Sequence, residues 1–242
     1  MFWNIIPGSA FAGKSMLILS VFLLAAVSAA HLIDCLADNS MIANATKPFL
    51  MPTVILLHIS LCGFIHPFVI VALIFGCIGD VFLMLVIKKR AFFTAGMASF
   101  LIGHAAYVLA AHKACLFVDI FPQFTVPVII TVCVMFVGAV CIYAFLYRHI
   151  YKGLKLACGL YILALTTMAC TMICAFINRF DTPTLLMAIG GALFLISDFT
   201  LACRVFGVIK RKRMNFCVML TYIAAQTCLA VGFALCAATV IY

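Results

Sequence analysis

The sequence predicts an all-α, polytopic membrane protein: one transmembrane domain over residues 1–242, built as a bundle of eight helices. Three observations carry this. Hydrophobic residues make up 68% of the chain and charged residues only 9%, against about 25% charged in soluble domains. The apolar residues fall into eight runs, most of them near the roughly 20 residues a bilayer-spanning helix needs. The Lys and Arg residues fall almost entirely in alternate connections between those runs.

The runs follow in order. Residues 1–14 are a short tail whose one charge is Lys14. The first span, 15–36, is too long for a signal-peptide core and has a weakly basic flank, so it reads as a mature helix. It closes with His31 and Asp34, three residues apart on one helical face and expected to meet lipid headgroups at the membrane edge. Residues 38–47 read as a polar turn. The second span, 48–62, is short and contains Pro48 and Pro52, with Pro48 suited to a first turn. After a tight turn at 63–67, the third span, 68–87, stops at Lys88, Lys89 and Arg90. The fourth, 92–111, carries Gly96, Ser99, Gly103, His104 and Tyr107. Small residues there allow close helix approach in lipid. The fifth, 124–146, is Val-rich and uncharged, a structural helix. The sixth, 156–177, carries Tyr161, Thr166 and Thr167. The seventh, 184–203, follows a turn at 178–183. The eighth, 216–241, places Tyr222 and Gln226 four apart on one face.

Charge tests this count. Of the 15 Lys and Arg residues, twelve lie after spans 1, 3, 5 and 7, and three lie on the other side. By the positive-inside rule the twelve are cytoplasmic and both termini are non-cytoplasmic. Cysteine labelling in a Cys-free background is expected to reach position 89 from the cytoplasmic side and position 181 from the opposite side. The reverse pattern would refute this topology. The net charge of +9 is thus explained by topology and anionic headgroups, and nucleic acid is not an expected partner. The 13 Cys residues are scattered through apolar runs without metal spacing and read as small hydrophobes. No metal or cofactor is expected.

Two carboxylates stand out. The chain has only six acids, all Asp, and Asp80 and Asp198 lie within spans. A carboxylate in hydrocarbon is expensive and marks a functional site by default. Each follows a small residue (Gly79, Ser197) and precedes a Leu by three (Leu83, Leu201). Counted from the flanking basic residues, Asp80 lies roughly 12 Å and Asp198 roughly 9 Å inside the cytoplasmic boundary. Tyr161 and Tyr222 reach similar depths, roughly 9–10 Å, on the neighbouring spans, and Lys47 opens span 2 at that side. A polar cavity open to the cytoplasmic leaflet is expected, roofed by His104 and Tyr107. An interhelical network that only holds the bundle together would favour Ser, Thr, Asn and Gln over paired carboxylates.

The GDVFL around Asp80, the FxxGxxSFLIGHAAY of span 4, the SDFTL around Asp198 and the YIAAQ of span 8 resemble the YhhN-like lysoplasmalogenase family, as do Lys47-Pro48 and the stretch from Tyr161 to Met168. The similarity runs over about residues 45–235. It implies a polytopic hydrolase that cleaves the vinyl-ether bond of lysoplasmalogens, giving a fatty aldehyde and glycerophosphoethanolamine or glycerophosphocholine. The expected membrane is the bacterial inner membrane or the eukaryotic endoplasmic reticulum, and the expected partners are the lysophospholipid substrate and membrane lipids.

The residues suit that chemistry. Vinyl-ether hydrolysis begins with protonation of the β-carbon and leaves an oxocarbenium ion that water attacks. One carboxylic acid and one carboxylate divide these roles in glycosidases, which pass through the same kind of cation. Asp80 and Asp198 are the candidate pair, with Asp80 favoured as acid and Asp198 as base, although sequence does not fix which is which. Lys47 is placed for the lipid phosphate, a position that also suits a snorkelling topology charge. Tyr161, Tyr222 and Gln226 are placed to position the glycerol or the water. Two other classes fit less of the chain. A proton-coupled carrier would use the intramembrane Asp and His residues, with a 4+4 repeat behind the two Asp motifs. An ester lipase would use Ser197 or Ser99 with His104, but lacks a GxSxG elbow.

Overall fold

The computed structural model describes residues 9–37, 41–62, 66–85, 91–116, 125–209, 211 and 213–239. Among them are eight helices and no strand: α1 (Ser9–Leu36), α2 (Met41–Cys62), α3 (Pro67–Met84), α4 (Ala91–Leu116), α5 (Val126–Tyr147), α6 (Lys155–Arg179), α7 (Thr182–Val205) and α8 (Met214–Thr239). A 3₁₀ turn, Lys152–Leu154, precedes α6. All eight are long and apolar enough to cross a membrane, so the protein is an integral, multi-pass membrane protein.

α8 is the hub. It packs along α7 and α2 and touches α1, α3 and α4, while α3 lies against α4, α4 against α6, and α6 against α7. The α7–α8 contact is close because glycines face it. A Cβ on Gly190 would lie 2.8 Å from Leu229 Cγ, and one on Gly232 would lie 2.8 Å from the Pro183 carbonyl. α5 leans on α6 and otherwise faces outward, with Val126, Val134, Phe136 and Val137 all more than half exposed. An uncharged, Val-rich face is what lipid accepts. α3 and α7 pack on other helices rather than along each other, and the space left between them holds the site.

Several boundaries differ from the sequence reading. α2 begins at Met41, so 41–47 is helix and Lys47 lies inside α2 rather than at its start. Pro48 and Pro52 are both interior. Pro52 has no N–H for the carbonyl of residue 48, which would be orphaned in an apolar bundle. The Cys77 thiol of α3 donates to that Pro48 carbonyl at 3.4 Å. His31 and Asp34 are buried, at 2% and 3% exposure, because the end of α1 is covered by its packing on α2 and α8. His31 Nδ1 is 2.9 Å from Thr46 Oγ1. α4 runs on to Leu116, past the expected end at 111. Residues 38–40, 63–65, 86–90, 117–124 and 240–242 lie outside the described residues, as therefore do the Lys88–Arg90 stop and most of the turn expected at 63–67.

The turn before α7 carries a cap that periodicity did not reveal. Asp181 is the N-cap, and its Oδ1 accepts the Thr184 N–H at 2.9 Å while Pro183 occupies the first turn. Arg179 Nε donates to Oδ2 at 2.7 Å. Burial alone would raise the Asp181 carboxyl, but the Thr184 hydrogen bonds and the Arg179 guanidinium outweigh it and hold the group below the ordinary aspartate range. A lowered native value means that the stabilisation is present above the unfolded value of about 3.9 and is lost as pH falls through the native one. Asp181→Ala is expected to cost about 1 kcal/mol of stability at neutral pH. Its melting curve should converge on that of the unsubstituted protein in acid below about pH 4. A deficit unchanged by acid would remove the charge from this account. Because a cysteine at 181 would break the cap, Phe180, 75% exposed on the same turn, is the safer position for topology labelling.

Candidate functional site

Asp80 and Asp198 face one cavity of about 340 Å³ between α3 and α7, closed by residues of α1, α2, α4 and α8. That volume is within the range of small-molecule sites. The two carboxylates are near enough to interact electrostatically, yet each has its own partners.

Asp80 is 2% exposed. The Lys47 ammonium lies 3.4 Å from its Oδ1. The Tyr222 hydroxyl sits beside the carboxyl and interacts with it, but no described group reaches Oδ2 in hydrogen-bond geometry. Tyr222 in turn receives a 3.4 Å hydrogen bond from Gln226 Nε2. Gln226 Oε1 accepts the Tyr107 hydroxyl at 2.6 Å. Polar groups on α2, α3, α8 and α4 thus form one line, Lys47–Asp80–Tyr222–Gln226–Tyr107. The Lys47–Asp80 ion pair and the Tyr222–Gln226 and Gln226–Tyr107 hydrogen bonds each pair a donor with an acceptor, while the Asp80–Tyr222 link is a contact without hydrogen-bond geometry.

Among the described residues no cation lies within ion-pair distance of Asp198. Its Oδ2 accepts a hydrogen bond from the Tyr161 hydroxyl, and His104 Nε2 lies 3.3 Å from that same hydroxyl. Phe194 meets the His104 ring edge to face at 4.8 Å. His104 and Tyr107, expected as a joint roof, therefore back different carboxylates. Neither lines the cavity, and nor do Tyr161 and Gln226; His104 stands behind Tyr161 and Asp198, and Tyr107 behind Gln226 and Tyr222.

Asp198 also lines a second space. An apolar pocket of about 70 Å³ extends between α4, α5, α6 and α7, walled by Met97, Ile142, Leu146, Leu165 and Phe199 among others. Leu83, Phe93, Phe100, Asp198, Leu201 and Val205 line both this pocket and the polar cavity. Among these shared residues Asp198 is the one with a polar side chain.

The family profile matching this chain is that of the YhhN family, over residues 42–233. The chain belongs to the YhhN family. Comparison with curated proteins and with solved structures returned no match. The stretch matched in this YhhN protein runs from the start of α2 into α8. It contains all eight residues singled out as site candidates: Lys47, Asp80, His104, Tyr107, Tyr161, Asp198, Tyr222 and Gln226.

The YhhN helices bring these eight side chains together in two connected groups around one cavity. Sequence reasoning missed others. Arg204 and Asn215 line the cavity mouth with His31, and Arg204 Nη1 donates to Asn215 Oδ1 at 3.0 Å. Phe93 and Phe100 line both the cavity and the apolar pocket. An Arg among many loop cations, or a Phe among 23, carries no mark in sequence. The hydroxyls considered for an esterase are engaged elsewhere. Ser197 Oγ donates to the Val218 carbonyl at 3.0 Å and Ser99 Oγ to the Ala95 carbonyl at 3.0 Å, so neither is hydrogen bonded to His104. Among the described residues no three His, Cys, Asp or Glu side chains form a group able to hold a metal ion.

Proposed function

We propose that this YhhN-family protein is a lysoplasmalogenase-like hydrolase, cleaving the vinyl-ether bond of a single-chain alkenyl glycerophospholipid by acid–base catalysis with Asp198 and Asp80. One observation carries the reading: a polar cavity and an apolar pocket meet at a carboxylate, Asp198, across from a second carboxylate. A lysoplasmalogen has the same layout. Its polar glycerophosphate joins its hydrocarbon chain through the bond to be broken. With the headgroup in the polar cavity and the first few carbons of the chain in the apolar pocket, from which the rest of the chain runs on between the helices into lipid, the vinyl ether lies at Asp198.

The partners favour a division of labour opposite to the one read from sequence. Asp80, held by the Lys47 ammonium, serves as the carboxylate. Asp198, whose polar partner is the neutral Tyr161 hydroxyl, serves as the acid and stands on the chain side, where the β-carbon lies. Asp198 delivers a proton to that carbon and the adjacent carbon–oxygen unit becomes an oxocarbenium ion. The Asp80 carboxylate stabilises the cation and takes a proton from the attacking water. The hemiacetal formed then collapses, returning a proton to the glycerol oxygen, to give a fatty aldehyde and a glycerophospho-alcohol. Water is the co-substrate consumed. Tyr161 and His104 orient Asp198, while Tyr222, Gln226 and Tyr107 orient the Asp80 side. Preorganised partners of this kind limit reorganisation as charge develops.

The test is mass spectrometry of products from purified protein with a lysoplasmalogen in detergent or liposomes. The expected products are a fatty aldehyde and glycerophosphoethanolamine or glycerophosphocholine. Free fatty acid from acyl lysolipids would mean an esterase, and absence of turnover would leave a carrier as the better account.

A further inference from the structure

We infer that Arg204, oriented by Asn215, is the anchor for the phosphate of a lysophospholipid at the mouth of the polar cavity. The inference rests on the lipid-hydrolase reading and adds the group that recognises the headgroup. Lys47 was the natural candidate from sequence, but its ammonium is committed to Asp80, 3.4 Å away. Arg204 has no carboxylate within ion-pair distance among the described residues. It lines the cavity that also holds Asp80 and Asp198.

Arg204 is exposed, but its guanidinium is tethered on one side. Arg204 Nη1 donates to Asn215 Oδ1 at 3.0 Å, and Asn215 Nδ2 reaches Cys35 Sγ at 3.2 Å. The guanidinium is thus held by a line of contacts joining α7, α8 and α1. Two other basic residues near helix ends rest on aromatic rings: Lys155 lies over Tyr147 at 3.6 Å and Lys113 over Phe68 at 4.9 Å. Neither lines the cavity. A guanidinium with one nitrogen fixed keeps its other N–H groups as a planar fork, the geometry that suits two phosphate oxygens. The position fits the lipid as well. Arg204 is six residues, roughly 9 Å along α7, beyond Asp198, on the side where headgroups lie, and a glycerol spans much of that gap.

The test is equilibrium binding of two uncleavable lipids of equal chain length, a 1-O-alkyl glycerophosphoethanolamine and a 1-O-alkylglycerol, with inorganic phosphate as a third probe. The unsubstituted protein is expected to bind the phosphate-bearing lipid about tenfold or more tightly than the alkylglycerol, the effect of one charge-assisted pair. Arg204→Gln should erase that preference while leaving alkylglycerol binding in place, and Arg204→Lys should restore part of it. In turnover, the loss should fall on KM more than on kcat. If Arg204→Gln fails to fold, Asn215→Ala decides, with a reduced preference expected. Full preference in the folded variant, or equal loss for both lipids, overturns the assignment. So does Arg204-dependent binding of millimolar inorganic phosphate with no effect on the lipids, which would mark a free-anion site. Absence of aldehyde release by the unsubstituted protein would count against the hydrolase reading alone, because the binding comparison needs no turnover.

Discussion

Asp80→Asn and Asp198→Asn should each abolish aldehyde release without unfolding the protein. An amide cannot donate the proton that starts vinyl-ether cleavage, nor accept one from water. The loss of one positioned acid or base is typically about 10²–10⁴-fold. Stability should hold in Asp198→Asn, where a neutral amide replaces a neutral acid, and fall in Asp80→Asn, which breaks a largely buried ion pair. The two variants should differ in one respect. Asp80→Asn leaves Lys47 beside a neutral group, an uncompensated cation near the cavity. Asp198→Asn leaves only a Tyr161 hydroxyl to be re-paired, which an amide oxygen does. Asp198→Asn is therefore expected to melt at or above the unsubstituted protein, and Asp80→Asn below Asp198→Asn. Aldehyde release by mass spectrometry and thermal melting in the same detergent check both statements. Near-native turnover in either variant would end the two-carboxylate mechanism.

The second large effect concerns the bond. Alkenyl, alkyl and acyl lysolipids of equal chain length share a phosphate and a tail and differ at the atoms next to Asp198. Only the alkenyl ether offers a carbon that can be protonated to an oxocarbenium ion. Its cleavage is expected, with no detectable cleavage of the other two, and both should act as competitive inhibitors because they fill the same polar cavity and apolar pocket. A two-chain plasmalogen should be a poor substrate. The apolar pocket, about 70 Å³, takes only the first few methylenes of one chain beside the reacting bond, leaving no room there for a second. Comparable hydrolysis of the acyl lipid would favour an esterase. An alkyl lipid that does not compete would mean that the tail-and-phosphate site lies elsewhere.

The span count was legible in sequence because apolar run length and the alternation of basic loops are independent signals of one architecture. The two aspartates were legible because a membrane chain with six acids has little reason to place any of them in a span. The ion pair was not. A Lys near a helix end reads equally as a topology charge or a phosphate ligand, and only the crossing of α2 and α3 brings Lys47 to Asp80. The extension of α2 back to Met41 was hidden by Asn44, Thr46 and Lys47, which resemble a turn in sequence but sit on a helix in the structure. His31 and Asp34 read as headgroup-facing because burial of the end of α1 depends on α2 and α8, which periodicity within α1 cannot report. His104 and Tyr107 were correctly placed on one helix, but three residues of separation turned them toward different partners.

The thiol of Cys77 has a bearing on how the site is held. Pro48 directly follows Lys47, and Cys77 precedes Asp80 by less than one turn, so the bond from Cys77 to the Pro48 carbonyl fastens α2 to α3 beside the ion pair. A vacancy in one backbone ladder thus becomes an acceptor for the neighbouring helix, and the thiol, though a weak donor, fills it beside the ion pair. The frame and the two charges meet at the same crossing, so loss of the thiol in Cys77→Ala is felt by the backbone of one helix and by the carboxylate of the other.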